Sequence, residues 1–247
     1  MRLDGRLGMI AENIPGCRVL VDVGTDHAYI PVYAVKAGIC EKAIAADIRP
    51  GPLENARKSI VRHGLERYIE TRLGNGLEPI RESECDVVVM AGMGGPLIRR
   101  ILEESAEKAK KCRLLLLQPN NAAEALRRWL YDNGFSIIGE ELAQESRKLY
   151  CLIKARWTGE CEIRDDFDCF IGNRLLESDD PLLVPYLEKK LGELDTIIRG
   201  RSRSDPRKPR RTEYGSYMDT RTCIEIRDRL VAILDRKRQW SGKEGSL

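Results

Sequence analysis

Two acidic side chains lie at the ends of apolar runs near the N-terminus, at a spacing that could bind a ribose. The first run, residues 19–23, contains Asp22 and leads to Gly24; the second, residues 43–46, leads to Asp47, 23 residues after Gly24. Short apolar runs of this kind are typical of buried parallel strands that deliver a turn to the carboxyl edge of a sheet. In doubly wound folds this spacing places a carboxylate beside the nucleotide crevice, where it can accept hydrogen bonds from both ribose hydroxyls.

The turn after the first run has one glycine where a dinucleotide site has three. The G-x-G-x-x-G pattern lets backbone approach a pyrophosphate, whereas here Asp26 follows Gly24 and its carboxylate would repel that group. The turn therefore favours a ligand with an adenosine, no phosphate and a positive centre, a description that S-adenosylmethionine (SAM) meets. The alternative is a purely structural turn in which Asp26 caps the following helix.

Four such turns are predicted at the carboxyl ends of strands: residues 24–29, 47–48, 74–76 and 91–95. These ends form the ligand crevice of an open α/β sheet. We expect Ile48 to pack on adenine, Asn75 to bind its polar edge, and Gly92 and Gly94 to leave room for the reactive end of the cofactor. The predicted cofactor-binding set is Asp22, Gly24, Asp47, Ile48, Asn75, Gly76, Gly92 and Met93.

The acceptor chemistry is indicated by residues 91–94, Ala-Gly-Met-Gly. Enzymes that methylate an exocyclic amine often carry an Asp/Asn-Pro-Pro-aromatic turn there, whereas a ring nitrogen has a free in-plane lone pair and needs positioning more than a strong base. We predict that Asp26 stabilises the positive charge on the methylated base. His27 is the candidate proton relay and Tyr29 the candidate stacking residue, although ordinary packing would explain both equally well.

The elements that must position these residues alternate between strands and helices, which predicts an α/β fold with a mostly parallel sheet. We expect one helix over residues 96–109 and a closing antiparallel hairpin over residues 135–157. After about residue 158 the apolar residues fall on helical seams, which predicts a coiled-coil-like helical hairpin. The predicted domains are therefore residues 1–160 and 161–247. The two seams are Leu187, Leu191, Leu194 and Ile198, and Cys223, Ile226, Leu230 and Ile233.

Two groups of polar residues are candidates for substrate binding. Gln118 and Asn120 lie in the turn after the fifth apolar run and could line an acceptor pocket. A basic stretch between the two seams would meet phosphates easily, unless it is merely a solvated loop; its predicted contacts are Arg207, Lys208, Arg210 and Arg211. A further basic surface near the crevice could come from Arg2, Arg6, Arg99 and Arg100.

Composition limits the remaining possibilities. The chain has 247 residues and a net charge of +3, so charge alone indicates no partner. Its eight cysteines form no C-x-x-C pair and it has two histidines, so we expect neither a metal site nor a disulfide framework. No apolar run is long enough for a membrane span and the N-terminal residues are charged. We therefore expect a cytoplasmic protein with no obligate protein partner.

These motifs together resemble the bacterial tRNA (adenine-22-N1)-methyltransferase family over essentially the whole chain. The resemblance lies in residues 21–31 (VDVGTDHAYIP), 74–77 (GNGL), 90–95 (MAGMGG) and 117–120 (LQPN), and in the helical C-terminal extension. It implies a class I methyltransferase (Rossmann-like) sheet, SAM as methyl donor and tRNA as substrate. It also implies cofactor roles for Gly24, Asp47, Asn75 and Gly92 and an active-site role for Asp26.

Other functions remain open at this point. The same fold could serve a SAM-dependent enzyme for another RNA or a small molecule. A nicotinamide-dependent oxidoreductase would need the phosphate-binding glycines that are missing here. A non-catalytic RNA-binding protein could use the basic stretch alone.

Overall fold

The computed structural model describes residues 2–202 and 218–244, with side chains for residues 2–200 and 218–237. The chain divides into two compact units, residues 1–163 and 164–247. The basic residues Arg207, Lys208, Arg210 and Arg211 lie outside the described residues.

The first unit is built on a seven-stranded sheet in the order β3-β2-β1-β4-β5-β7-β6. The strands β1 to β5 pair in parallel, and β7 runs antiparallel to both β5 and β6, which confirms the mostly parallel α/β fold and the closing hairpin. The strands are β1 (Cys17–Val23), β2 (Cys40–Asp47), β3 (Ile69–Leu73), β4 (Val87–Met93), β5 (Leu114–Pro119), β6 (Phe135–Glu145) and β7 (Lys148–Trp157).

Helices connect these strands and cover the sheet. They are α1 (Gly5–Glu12), α2 (Tyr29–Lys36), α3 (Pro50–Arg62), α4 (Gly95–Glu104), α5 (Ala106–Lys111) and α6 (Ala123–Asp132), with a 3₁₀ turn at Glu82–Glu84. The chain order of strands reverses between β1 and β4, and ligands of open α/β sheets bind outside the carboxyl ends of strands at this point.

The inner strands carry long apolar runs because helices cover them on both sides. In β4 the residues from Val87 to Met90 are all fully buried, and in β5 the same holds from Leu115 to Gln118. Gln118 is the polar residue of this group. Although it is buried, its side-chain amide has hydrogen-bond partners at the end of β5.

The prediction of one helix over residues 96–109 was wrong. The chain forms α4 and α5 instead, and Ser105 between them adopts φ −125° and ψ 36°, outside the helical region. An apolar stripe continues through both helices, with Ile101, Leu102 and Ala109 buried. Periodicity alone therefore could not reveal the break.

The second unit contains α7 (Asp166–Ile171), α8 (Asn173–Leu176), α9 (Leu183–Ser202) and α10 (Thr220–Glu244). The packing of α9 against α10 confirms the predicted C-terminal helices. The predicted seams were wrong in detail, since Leu191, Ile198 and Ile233 are half-buried whereas Lys190 and Leu234 are buried. A regular helix drifts relative to a strict 4-3-4 spacing, so the buried stripe moves to adjacent positions.

The buried Lys190 keeps its charge satisfied within the second unit. Its ammonium donates to Glu193 at 2.8 Å and lies 4.0 Å from the centre of the Phe170 ring. In the described ranges, no helix combines the length and apolarity needed to cross a bilayer.

Candidate active site

A cleft of about 360 Å³ lies at the carboxyl ends of β1, β2 and β4. Seven of the eight predicted cofactor residues line it: Gly24, Asp47, Ile48, Asn75, Gly76, Gly92 and Met93. They come together because parallel strands end at the same edge of the sheet. The volume is within the usual range for a small-molecule site.

Asp47 ends β2 in the wall of this cleft. Its side chain is 7% exposed, and its Oδ1 accepts a hydrogen bond from the Arg49 backbone amide at 2.8 Å. In the described structure, no hydrogen bond reaches Oδ2. The carboxylate is therefore held in place by one oxygen and can accept from ribose hydroxyls with the other.

Two exposed apolar side chains line the cleft, and one of them, Ile48, directly follows Asp47. Ile48 is 62% exposed and Leu97, in the first turn of α4, is 38% exposed. Exposed aliphatic side chains at a cleft provide surface for a planar base, because covering them removes apolar area from water. An adenine attached to a ribose at Asp47 would meet them.

Asn75, predicted at the adenine edge, points to α4 in this structure. Its Nδ2 donates to Glu104 Oε2 at 3.1 Å, and its backbone amide lies 3.4 Å from Glu78 Oε2. Gly76 has φ +55°, and a Cβ there would lie 2.5 Å from Ile101 Cγ2. This turn therefore requires glycine for both conformation and space.

The turn after β1 lies next to Asp47 in the same cleft. Gly24 has φ +79°, and the amides of Gly24 and Thr25 donate to the Ala46 carbonyl at 2.8 and 3.0 Å. The terminal methyl of Met93 occupies the position that a Cβ on Gly24 would take. A side chain at position 24 would therefore have to displace the Met93 methyl, and the positive φ would strain its backbone.

Asp22 lies under this turn in β1 and is the eighth predicted cofactor residue. It is 8% exposed, and burial raises the pKa of its carboxyl to about 6, against the Thr25 hydroxyl and Arg6 guanidinium, which lower it. Asp22 does not line the cleft, but its buried carboxylate lies next to the lining residue Val23, and a nearby cation would favour its ionised form.

Gln118 and Asn120 hold the Gly92 turn in place. Gln118 Oε1 accepts from the Gly92 amide at 3.1 Å and from Arg6 Nη1 at 3.2 Å, and its Nε2 donates to Asn120 Oδ1 at 3.1 Å. Asn120 in turn donates to the Gly92 carbonyl at 2.8 Å, and its backbone amide donates to the Met93 carbonyl at 2.7 Å. The predicted acceptor-pocket residues thus fix the backbone of the Gly92 turn, which lines the cleft.

The three predicted catalytic residues lie at a surface beyond Gly24. Asp26 is exposed, with its carboxylate 3.5 Å from His27 Nε2 and 3.5 Å from Asn55 Nδ2. His27 and Tyr29 stack with ring centres 5.2 Å apart. In the described structure none of the three lines the cleft itself, and Ala28, not Asp26, occupies the N-cap position of α2.

Several residues at or near the cleft were missed or underestimated by sequence reasoning, and Arg49, Arg100 and Ile101 are among those that line it. Arg6 was expected only as part of a basic surface, yet it bonds to Gln118 beside Gly92. Glu104 and Leu97 come from α4, where their spacing is indistinguishable from that of ordinary surface residues. The described residues contain no group of three or more His, Cys, Asp or Glu side chains that could hold a metal ion.

These features fit SAM. Asp47 has a free oxygen for the ribose, Gly24 adds no side chain of its own to the cleft, and Asp22 places a second negative charge near Asp47, beneath the turn after β1. A pyrophosphate would meet that carboxylate instead of an array of glycine amides. The residues therefore suit a cationic nucleoside better than a dinucleotide.

Comparisons with known proteins agree with this geometry. Residues 3–153 match the methyltransferase domain family. The tRNA (adenine(22)-N(1))-methyltransferase of Bacillus subtilis is 41% identical over 155 residues, which span 63% of this chain and 65% of that protein. The chain thus matches slightly less than two thirds of the length of this curated relative.

Two solved structures extend the likeness to nearly the whole chain. The B. subtilis m1A22 tRNA methyltransferase TrmK is 32% identical, with a TM-score of 0.77 over 95% of this chain and 98% of that one. TrmK of Mycoplasma capricolum, solved with S-adenosyl-homocysteine, is 26% identical, with a TM-score of 0.74 over 96% of this chain and 98% of that one. The chain therefore has a methyltransferase domain and belongs to the tRNA (adenine-22-N1)-methyltransferase family.

Proposed function

We propose that this protein is a SAM-dependent enzyme that methylates N1 of the adenine at position 22 of tRNA. The observation that carries the proposal is the similarity to B. subtilis TrmK across both units of the chain, at a TM-score of 0.77. A likeness confined to the sheet would support a methyltransferase of any specificity. The likeness here includes the C-terminal helices as well.

The cleft supports SAM as the donor. We infer that Asp47 binds the ribose, that Ile48 and Leu97 cover the adenine, and that the Gly24 turn accepts the methionine part. When bound, SAM supplies an electrophilic methyl group beside a sulfur that takes the electron pair of the broken bond. The protein's contribution is to orient that methyl group toward the acceptor and to exclude water from it.

The acceptor chemistry needs little acid–base help. N1 of adenine carries an in-plane lone pair, so no proton has to leave it before the new N–C bond forms, and the base becomes positively charged as it does. Asp26 is our candidate for stabilising that charge. Its carboxylate is held by Asn55 and stands beside the stacked rings of His27 and Tyr29, which offer a surface for the base.

The Gly92 turn is our candidate for the wall of the acceptor pocket. Gln118 and Asn120 bond to both the amide and the carbonyl of Gly92, so they fix the peptide that borders the methyl group. The missing Pro-Pro-aromatic turn fits an acceptor that needs no strong activation of an exocyclic amine.

We further propose that tRNA is the partner of this protein and that the protein works in the cytoplasm. The basic residues Arg207, Lys208, Arg210 and Arg211 remain predicted phosphate contacts from their sequence alone. The absence of a membrane-spanning helix in the described chain is compatible with this location.

The test is methyl transfer with labelled SAM to unmodified tRNA, followed by mapping of the modified nucleotide. We expect one methyl group per tRNA, at N1 of adenine 22, and none on a tRNA in which that adenine is replaced by guanine. Methylation at another nucleotide would refute the proposed position. Binding of tRNA without any methyl transfer would indicate a non-catalytic RNA-binding protein.

A further inference from the structure

Two cysteines begin neighbouring strands at the end of the sheet opposite the cleft. Cys17 is the first residue of β1 and Cys40 is the first residue of β2, and the two are register partners in this parallel pair. The Cys17 amide donates to the Ile39 carbonyl at 2.9 Å, which fixes this alignment. Register partners project their side chains from the same face of a sheet, so both thiols lie on one side of it.

The backbone spacing at this position suits a disulfide. Neighbouring strands lie about 4.8 Å apart in the hydrogen-bonding direction, and the Cα atoms joined by a disulfide are usually ~4.4–6.8 Å apart. Because Cys17 and Cys40 stand opposite each other, their Cα atoms are separated by about the distance between strands. A bond between the two sulfur atoms therefore needs rotation of the side chains and no shift of either strand.

The two thiols differ in accessibility and in acidity. Cys17 is half-buried, whereas Cys40 is 5% exposed. A hydrogen bond from Cys40 lowers the pKa of Cys17 although burial opposes it, and the same contact together with burial raises the pKa of Cys40. An oxidant therefore meets Cys17 first, as the more readily ionised thiol, with the Cys40 sulfur beside it.

The surroundings of Cys17 carry charges of both signs. Arg113 donates to the Gly16 carbonyl at 2.8 Å and to Asp86 Oδ1 at 2.7 Å, which brings a guanidinium close to the Cys17 thiol. The guanidinium favours the thiolate and the Asp86 carboxylate opposes it. The contact with Cys40 has the larger effect on the pKa of Cys17, so the pair itself decides which thiol ionises.

We propose that Cys17 and Cys40 form a reversible oxidation site, in which Cys17 reacts with a peroxide and Cys40 captures the product as a disulfide. The Cys17 thiolate attacks one peroxide oxygen, so that an S–O bond forms and the O–O bond breaks to release hydroxide. The Cys40 sulfur then attacks the Cys17 sulfur, so that the S–S bond forms, the S–O bond breaks, and the leaving hydroxide takes up the Cys40 proton. The two thiols lose two protons and two electrons, and the peroxide is reduced to two water molecules.

Capture by Cys40 keeps Cys17 in an oxidation state that thiols can reverse. A sulfenic acid with no thiol beside it is oxidised further to a sulfinic acid, which ordinary thiol reductants do not restore. A lasting disulfide is rare in a reducing compartment, whereas a transient one is compatible with it. The pair lies at the amino ends of β1 and β2 and the cleft lies at their carboxyl ends, so the inference does not depend on the proposed function.

The chain contains two internal comparisons for this pair. Cys161 is exposed and reports the peroxide dose that oxidises an accessible thiol. Cys85 and Cys112 also contact each other through their thiols, but they are only 7% and 4% exposed. Each of these two thiols also donates to the carbonyl four residues earlier, at 3.5 and 3.3 Å. Their burial predicts that this second pair reacts after the first.

Peptide mapping of the full chain after treatment with hydrogen peroxide tests the proposal. Free thiols are alkylated before tryptic digestion, and a disulfide between Cys17 and Cys40 links peptides 7–18 and 37–42 with the loss of about 2 Da. We expect this link at doses that oxidise Cys161, before any link between Cys85 and Cys112, and we expect dithiothreitol to remove it. Absence of the link at such doses, or a link from Cys17 to a different cysteine, would overturn the proposal.

Three variants separate capture by Cys40 from simple reactivity of Cys17. In Cys40→Ser we expect Cys17 to gain two oxygen atoms, as a sulfinic acid, at doses where the wild type shows only the reversible link. In Cys17→Ser the buried Cys40 should stay reduced at those doses. Cys161→Ser is the matched control and should form the link as the wild type does. Equal amounts of Cys17 sulfinic acid in the wild type and in Cys40→Ser would overturn the role of Cys40, and the mapping of the wild type decides the proposal even if a variant fails to fold.

Discussion

Replacing Asp22 by asparagine should stabilise the ligand-free protein, and by an amount that depends on pH. Burial raises the pKa of Asp22 from 3.8 to about 6, a difference of about two units. Each unit corresponds to ~1.4 kcal/mol, so the ionised side chain costs the folded state about 3 kcal/mol above pH 6. Asparagine has nearly the same shape without the charge.

The sign follows from proton binding. Between the two pKa values the folded protein binds the proton more tightly than the unfolded chain, so the contribution of Asp22 to the free energy of unfolding falls as pH rises from about 4 to 6. The free energy of unfolding of Asp22→Asn should therefore exceed that of the wild type by an amount that grows from about pH 4 to 6 and stays constant above pH 6. The new amide could also change stability by an amount that does not depend on pH. Such a change is the same at every pH, so it does not affect how the difference between the two proteins varies with pH.

Urea unfolding of the wild type and Asp22→Asn from pH 4.5 to 8, without ligand, measures this difference. Asp86→Asn is the matched control with the opposite sign, since the bond from Arg113 and the backbone amides of Arg18 and Val19 outweigh burial and lower the pKa of Asp86. That variant should lose stability at all these pH values. A difference between Asp22→Asn and wild type that does not vary with pH would refute the reasoning.

Further predictions concern binding and turnover. Asp47→Asn should weaken S-adenosyl-homocysteine binding in titration calorimetry by roughly 10- to 100-fold, because the ribose loses a charged acceptor; unchanged affinity would remove Asp47 from the ribose site. Gly24→Ala should weaken that binding while the protein stays folded by circular dichroism, because φ +79° strains a residue with a Cβ and the Met93 methyl would have to move to make room for it; normal binding would contradict the close approach. Asp26→Asn should lower kcat for tRNA methylation by at least about tenfold with little change in cofactor affinity, and a wild-type rate would exclude its active-site role. Loss of four basic side chains should weaken tRNA binding in filter assays and reduce its salt dependence, and unchanged binding would show that the loop is only solvated. The four substitutions are Arg207→Ser, Lys208→Ser, Arg210→Ser and Arg211→Ser.

The sheet and its crevice could be predicted because both depend on local patterns. Apolar runs that end in Gly24 and Asp47 identify the strands, and the rule that parallel strands end at one edge brings their turns together. The helix break at Ser105 could not be predicted, since the apolar stripe continues across it. The seam of α9 shifted to Lys190 because Glu193 and Phe170 make burial of a lysine acceptable, which spacing does not reveal.

The electrostatics of the site depended on contacts between distant segments. Arg6 meets Gln118 across 112 residues, and no motif in either segment indicates the other. The burial that raises the pKa of Asp22 likewise depends on the packing of β1 between β2 and β4. Sequence patterns identify which residues line an edge, whereas tertiary packing decides which of their charges interact.

The most direct test of the central claim is a crystal structure of the protein with S-adenosyl-homocysteine. The account predicts ribose hydroxyls on the Asp47 carboxylate, adenine between Ile48 and Leu97, and the amino-acid group at the Gly24 and Gly92 turns. Density for the ligand elsewhere, or a cleft that stays empty at saturating ligand, would contradict it.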